Sequence, residues 1–243
     1  MDDKQRILYE MLLQARHAIF FGGAGVSTES GIPDFRSTDG LYHQQWQWPP
    51  EEILSRSFFD RRPEVFYEFY RKKMLYPSAL PNAAHLALAQ LEKAGRLHAV
   101  ITQNIDGLHQ AAGSRNVIEL HGTVLSNHCN RCGRHFPLEA VSSGEGVPRC
   151  PCGGIIKPDV VLYEESLPQE ALWRASDEFA HADLVLVGGT SLAVYPAAGF
   201  VRGYRGRLVI INKSPTPEDR RADLVIAGSI GAALSFVKEA FPV

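Results

Sequence analysis

His17-Ala18-Ile19-Phe20-Phe21-Gly22, running on into Gly23-Ala24-Gly25-Val26-Ser27-Thr28-Glu29-Ser30-Gly31-Ile32-Pro33-Asp34-Phe35-Arg36, is the stretch from which the architecture is read. Its apolar half does not alternate with polar residues, which fits a strand buried on both faces of a parallel sheet. A glycine turn straight after such a strand brings backbone N–H groups close to a pyrophosphate and starts a helix whose positive end faces it. The second half sets a carboxylate (Asp34), a flat apolar ring (Phe35) and a guanidinium (Arg36) beside that turn. A guanidinium grips phosphate with a planar fork, and an aromatic ring packs on a flat heterocycle or screens it from water. One position departs from the dehydrogenase fingerprint: Thr28 stands where G-x-G-x-x-G carries its last glycine. Nor does a strand ending in Asp or Glu follow about 20 residues on to hold a ribose. Both departures count against hydride transfer.

Outward from this stretch, apolar strands alternate with helical patterns. Asp2 or Asp3 caps a first helix with Ile7, Leu8, Met11, Leu12 and Ala15 on one face. Residues 45–80 form an aromatic-rich helical insertion in which Phe58, Phe59, Val65, Phe66, Phe69 and Tyr70 serve helix packing. Asn82 caps a helix through Leu91 that Gly95 ends. Strands are expected at 97–101, 117–120, 183–188, 208–212 and 224–227, with a closing helix over 230–241. The class is α/β, a mostly parallel sheet covered on both faces. The segment 125–155 breaks the rhythm and reads as a separate small lobe.

A chain of 243 residues with a net charge of −2 is not held to nucleic acid by phosphate neutralisation. No apolar run approaches the roughly 18 residues that would span a membrane. Met1-Asp2-Asp3-Lys4 is polar and the apolar positions after it are helical, so no leader is expected. All four cysteines lie between positions 129 and 152, which suggests metal binding in a reducing compartment, the cytoplasm, rather than disulfides.

Four further constellations carry chemistry. Thr102-Gln103-Asn104-Ile105-Asp106-Gly107-Leu108-His109 begins at the carboxyl end of a strand. Asn104 and Asp106 can bond sugar hydroxyls or a carboxamide and Gln103 a ribose, although the same residues also suit an Asx-type helix start. Gly189-Thr190-Ser191 and Asn212-Lys213-Ser214 follow later strands, where open sheets bind ligands. Leu120-His121-Gly122 offers an imidazole that is the usual general base near neutral pH, against the commoner structural histidine. Cys129-x-x-Cys132 and Cys150-x-Cys152 supply four thiolates for a tetrahedral structural zinc, the alternative being free reduced thiols. The second pair is one residue shorter than C-x-x-C, and Gly153-Gly154 supplies freedom for the tighter turn.

With these elements in this order, the chain resembles the sirtuins, NAD-dependent protein-lysine deacylases. The resemblance runs from GAGVSTESGIPDFR through TQNIDGLH, LHG, the four cysteines, KPDVVLYEE and GTSLAVYPAA to INKS. It implies a Rossmann-like, doubly wound NAD-binding domain built from 1–44, 81–124 and 156–243. The insertion 45–80 and a zinc-ribbon module 125–155 would form the small domain, with NAD and acyl-lysine protein or peptide entering between the two. On matching positions it implies NAD contacts from Gly23, Ala24, Gly25, Thr28, Asp34, Phe35 and Arg36. Gln103, Asn104, Ile105, Asp106 and His121 would form the nicotinamide and ribose end. Gly189, Thr190, Ser191, Asn212, Lys213 and Ile230 would hold the adenosine half. Val160, Val161 and Tyr163 would pair with substrate backbone as an added strand. His121 and Asn104 would be catalytic: the acyl oxygen attacks the ribose carbon as nicotinamide leaves, and His121 then removes a proton from a ribose hydroxyl on the way to free lysine and O-acyl-ADP-ribose.

Tyr163-Glu164-Glu165 replaces the family's more usual aromatic-Gly-Glu, which changes the backbone demands of the substrate loop. In members that take succinyl- or malonyl-lysine, a Tyr and an Arg three residues apart bind the acid. Here they align with Tyr70 and Lys73, and lysine cannot make the bidentate fork. Neutral acyl groups are therefore expected, acetyl first, with Tyr70 either at the substrate or in the helix core and Lys73 in solvent. Mono-ADP-ribosyl transfer is the rival that shares the site. A non-enzymatic NAD-sensing binder is the rival of another class.

Overall fold

The structure, a computed structural model, describes residues 1–34 and 46–242. Six strands form one sheet: β1 (Ala18–Gly22), β2 (Ala99–Thr102), β3 (Val117–Glu119), β7 (Leu184–Gly188), β8 (Arg207–Asn212) and β9 (Leu224–Ala227). Their order is β3-β2-β1-β7-β8-β9, and every pairing is parallel. The chain leaves β1 toward β2 and β3 and later returns on the other side of β1 at β7. Beside β1 the winding therefore reverses, and a crevice opens at the carboxyl ends of the strands.

Alternate residues of β1 feed opposite cores. Ala18 and Phe20 pack with Leu8 and Leu12 of the helix Asp3–Gln14 and with Leu88 and Leu91 of the helix Ala83–Lys93. Ile19 and Phe21 face Ala175 and Phe179 of the helix Gln169–His181 and Val201 of the helix Ala197–Gly203. Phe20 and Phe21 are fully buried, each worth roughly 1.5–3 kcal/mol for leaving water. Asp2 is the cap of the first helix, its carboxylate accepting from Gln5 N–H at 2.8 Å. Ile7, expected on the buried face, is exposed, because Leu8 and Leu12 set the contact stripe and Ile7 lies to its side. The closing helix is divided into Ile230–Ala233 and Val237–Ala240, which lets Leu234, Phe236 and Phe241 all turn inward.

A second, antiparallel sheet holds β4 (Gly122–Cys129), β5 (His135–Pro137) and β6 (Ile156–Val160), in the order β5-β4-β6. It shares one core with the insertion: Phe58, Phe59, Phe66, Tyr67, Phe69 and Tyr70 pack with Val124, Cys129, Cys150, Ile156 and Val160. Two stretches distant in sequence thus build one lobe over the crevice. No helix among the described residues is long and apolar enough to cross a membrane.

Candidate active site

A cleft of about 1270 Å³ lies where the two sheets meet. Its floor is made by the loops after β1, β2, β7 and β8, locked to one another by backbone. Gly25 N–H donates to Gly189 O at 2.8 Å, and Gln103 N–H donates to Gly22 O at 3.0 Å. A Cβ on Gly25 would lie 2.7 Å from Gly189 Cα, so the two turns meet backbone to backbone only because both are glycine. Gln103 Nε2 reaches Thr190 Oγ1 at 3.2 Å, tying a third loop in. Gly23, Ala24, Gly25, Thr28 and Asp34 line this cleft, with Gln103, Asn104, Ile105, Asp106, Gly189, Thr190, Ser191, Asn212, Lys213 and Ile230. Phe35 and Arg36 lie outside the described residues.

Ser27, which the sequence reading passed over, is the buried hub of the polar network. Its hydroxyl donates to Asp106 Oδ2 at 2.6 Å and accepts from Asn104 Nδ2 at 3.0 Å. His85 Nδ1 accepts Asn82 N–H at 3.2 Å, which leaves the proton on Nε2, facing Ser27 Oγ at 3.4 Å. Burial lowers the pKa of His85 while Asp106 opposes the shift, so the ring is neutral. Asn82 also donates through Nδ2 to Val26 O at 2.8 Å and so fastens the glycine loop to the helix it caps. The Asx-type start is present too, with Asp106 Oδ1 accepting Leu108 N–H at 2.9 Å. Asp106 therefore supports its helix and lines the cleft at once. His109 is buried against His85 with ring centroids 4.8 Å apart, and neither of its nitrogens finds a partner.

His121 lines the same cleft, and its Nδ1 lies 2.9 Å from the carbonyl of Gln103. A carbonyl only accepts, so Nδ1 carries the proton and Nε2 is the basic nitrogen. Burial lowers the imidazole pKa and the Gln103 carbonyl pushes it back up. The result is a neutral base held in one tautomer.

Val160, Val161 and Tyr163 line the opposite wall. Val161 N–H donates to His121 O at 2.9 Å, so this wall and the imidazole share one backbone support. Glu165, which also lines the cleft, braces the wall: it accepts Leu162 N–H at 2.9 Å and pairs with Lys157 at 3.0 Å and Arg56 at 3.1 Å. Tyr70 is not on the cleft. It is fully buried, its ring stacked on Phe66 and its hydroxyl without a partner, because the helix Pro63–Lys73 turns that face into the lobe core. Lys73, expected in solvent, is half-buried and lines the cleft at the end of the same helix.

The four cysteine sulfurs lie within 4.8 Å of one another, with Cys129–Cys152 at 3.5 Å and Cys132–Cys150 at 3.6 Å. These separations far exceed a disulfide bond and match the spacing of about 3.8 Å that tetrahedral Zn–S bonds near 2.3 Å require. The short second pair is accommodated by Gly153, whose φ of 85° closes a turn in which Gly153 N–H meets Cys150 O at 2.8 Å. The donor set fits a structural zinc ion with no open position, held by Cys129, Cys132, Cys150 and Cys152.

Comparison with known proteins fits this geometry. The model of the Sir2 family matches residues 23–196. An NAD-dependent protein deacetylase of Clostridium perfringens is 54% identical over 242 residues, covering 98% of this chain and 99% of that protein. A solved Sir2 structure with a deacetylated p53 peptide and 3'-O-acetyl ADP ribose is 40% identical, with a TM-score of 0.89 over 97% of this chain and 98% of that one. Another, bound to a propionylated peptide, is also 40% identical, with a TM-score of 0.85 and the same coverage.

Proposed function

This chain belongs to the Sir2 family, and we propose that His121 is the general base with which it transfers neutral acyl groups, acetyl first, from protein lysine to the ADP-ribose part of NAD. It is an NAD-dependent protein deacetylase of that family. The observation that carries the base assignment is the contact of His121 Nδ1 with Gln103 O, which leaves Nε2 as the basic nitrogen and so supports its role as the acceptor of a ribose proton. NAD supplies the electrophilic ribose carbon, and the chain supplies position: bringing acyl oxygen and ribose together replaces a bimolecular encounter.

Under this reading the loop from Gly23 to Asp34, with Phe35 and Arg36 beyond it, takes the pyrophosphate and covers the nicotinamide. Gln103 to Asp106 hold the nicotinamide ribose, with Asn104 fixed by Ser27 as the second catalytic group. Gly189, Thr190, Ser191, Asn212, Lys213 and Ile230 hold the adenosine. These residues belong to the large NAD-binding part, read as 1–44, 81–124 and 156–243. Its boundaries shift in the fold, because β4 starts at Gly122 and pairs with β6, which puts 122–124 and 156–160 in the small lobe. The insertion 45–80 and the zinc module 125–155 close the acyl-peptide side, where Val160, Val161 and Tyr163 take the peptide as an added strand. Four thiols gathered for a metal suit a reducing compartment, which supports a cytoplasmic place of work.

The neutral acyl preference rests on the small-lobe wall of the cleft, where Leu54, Ile105, Val124, Leu138 and Leu162 face inward. A succinyl carboxylate would meet Lys73 there, a point charge without a bidentate fork, and no tyrosine hydroxyl from Tyr70. Mass spectrometry of one peptide carrying acetyl, propionyl, succinyl or myristoyl lysine, with and without NAD, tests the reading. Expected is NAD-dependent loss of acetyl and propionyl, with nicotinamide and the matching O-acyl-ADP-ribose. A strong succinyl preference overturns the acyl assignment, and transfer of label from NAD onto protein in place of O-acyl-ADP-ribose overturns the reaction.

A further inference from the structure

Glu164 has a left-handed backbone, φ 75°, which among the described non-glycine residues only Leu192 shares. A residue with a Cβ enters that region at a cost that glycine escapes, and Glu164 stands where the resemblance expects glycine. Its side chain shows what holds it there. Oε2 accepts Ser57 N–H at 2.8 Å and Oε1 accepts the Ser57 hydroxyl at 2.9 Å. Ser57 lies in the first turn of the helix Arg56–Arg61, so the partner belongs to the helical insertion, more than a hundred residues away in sequence.

The backbone next to Glu164 makes the same connection. Tyr163 N–H donates to Leu54 O at 2.9 Å and Arg56 N–H donates to Tyr163 O at 2.9 Å, a short parallel bridge between the substrate wall and the insertion. A parallel bridge of one residue is weak by itself. A bidentate carboxylate with charge-assisted bonds at its end adds a strong, directional clamp. The clamp is one residue from Tyr163, at the end of the wall whose other end is tied to His121 through Val161.

We propose that Glu164 is a positioning residue: its bond to Ser57 holds the Val160–Tyr163 edge in the conformation that accepts a peptide strand, replacing by a side-chain clamp the freedom that glycine would supply. The proposal rests on the deacetylase reading of the site. In the free enzyme the edge is then already ordered, and the peptide does not have to order it on binding.

Steady-state kinetics on the full chain with an acetylated peptide and NAD test this, using Glu164→Ala, Glu164→Gly, Ser57→Ala and the Glu164→Ala/Ser57→Ala pair. Glu164→Ala keeps the Cβ in the left-handed region and loses both bonds. Its KM for peptide is expected to rise roughly five- to tenfold, less than the full worth of two charge-assisted bonds because both are solvent-exposed, with kcat and the KM for NAD within about twofold of the parent. Glu164→Gly should raise the peptide KM less, since glycine meets the backbone angle freely. Ser57→Ala should raise it in the parent and add nothing to Glu164→Ala. A peptide KM within about twofold of the parent in both Glu164 variants overturns the proposal even if their thermal stability falls. Additive effects of Ser57→Ala and Glu164→Ala overturn it too. Should Glu164→Ala not fold, Glu164→Gly decides by the same limit. Failure of the unaltered chain to release nicotinamide from NAD with any acyl-peptide strikes the deacetylase reading instead.

Discussion

The imidazole of His121 is tied to the backbone of Gln103, Nδ1 to carbonyl oxygen at 2.9 Å, and this one contact sets both the tautomer and the direction of the basic nitrogen. Gln103 is itself pinned to β1 through its N–H on Gly22 O. The imidazole is thus positioned by the central strands of the sheet. His121→Ala should lose about 10²- to 10⁴-fold in kcat, the usual worth of a general base, and keep its fold and most of its NAD affinity. Steady-state formation of O-acetyl-ADP-ribose and deacetylated peptide, NAD binding by calorimetry and circular dichroism check the three parts. Wild-type-like turnover sinks the assignment. Because burial lowers this pKa, the acid limb of kcat/KM should fall below the ordinary histidine range near pH 6.5, activity being lost as the proton occupies Nε2.

His109 should make stability itself depend on pH. Burial, with neighbouring His85, pushes its pKa down to about 3. In the unfolded chain it takes a proton below about pH 6.5, whereas the folded chain refuses one until pH nears 3, so the unfolded state binds more protons between those values. Stability is therefore complete above about pH 6.5 and falls as the pH drops, by about 2 kcal/mol at pH 5 from this residue alone. Urea unfolding at pH 7 and pH 5 for the parent and for His109→Phe measures it. A variant that loses as much stability as the parent over that interval refutes the claim.

The large sheet was legible because its strands are unbroken apolar runs whose boundaries moved by only one or two residues, as with Leu97–Ile101 read and Ala99–Thr102 found. The small-lobe strands were not. Gly122–Cys129 carries Thr123, Ser126, Asn127 and His128 among its apolar residues and buries few positions, so neither a period of two nor an apolar run marks it. The loops of the cleft announced themselves by glycine and by carboxamide and carboxylate residues at strand ends. Ser27 and His85 did not. Serine in a glycine loop looks like solvent-facing filler, and the alignment of His85 with it depends on a capping bond at Asn82 that pattern alone does not reveal. The alignment leaves Tyr70 either at the substrate or in the helix core, and the helix period of Phe66, Tyr67 and Tyr70 puts it in the core.

Zinc should be part of the fold of the small lobe, since Cys129 and Cys150 are buried in the same core as Phe59 and Tyr67. Purified protein is expected to carry about one zinc per chain, released by a strong chelator with loss of near-ultraviolet dichroism and of deacetylation. The parallel sheet has its own two cores and should keep its far-ultraviolet signal. Cys132→Ser, at the exposed ligand, should bind zinc more weakly without opening the core. Metal content far below one per chain in freshly prepared parent protein contradicts the site.

Tyr70→Phe separates a core residue from a substrate residue. The hydroxyl is buried without a hydrogen-bond partner, and burial, with Tyr67 and Asp159 nearby, pushes its pKa strongly up, so it stays a neutral phenol that has lost its water. Leaving such a group unpaired costs roughly 1–3 kcal/mol, and removing it spares that cost with almost no change of volume. The ring stays stacked on Phe66 at 5.5 Å. Tyr70→Phe should therefore unfold at equal or higher denaturant, by up to about 1 kcal/mol, with unchanged ratios of kcat/KM for acetyl, propionyl and succinyl peptides. A fall in the succinyl rate alone would bring Tyr70 back to the acyl pocket. Lys73 is the control on the cleft side of the same helix: Lys73→Met should lower whatever succinyl activity exists and leave acetyl activity within about threefold, because only the acid gains from a nearby cation.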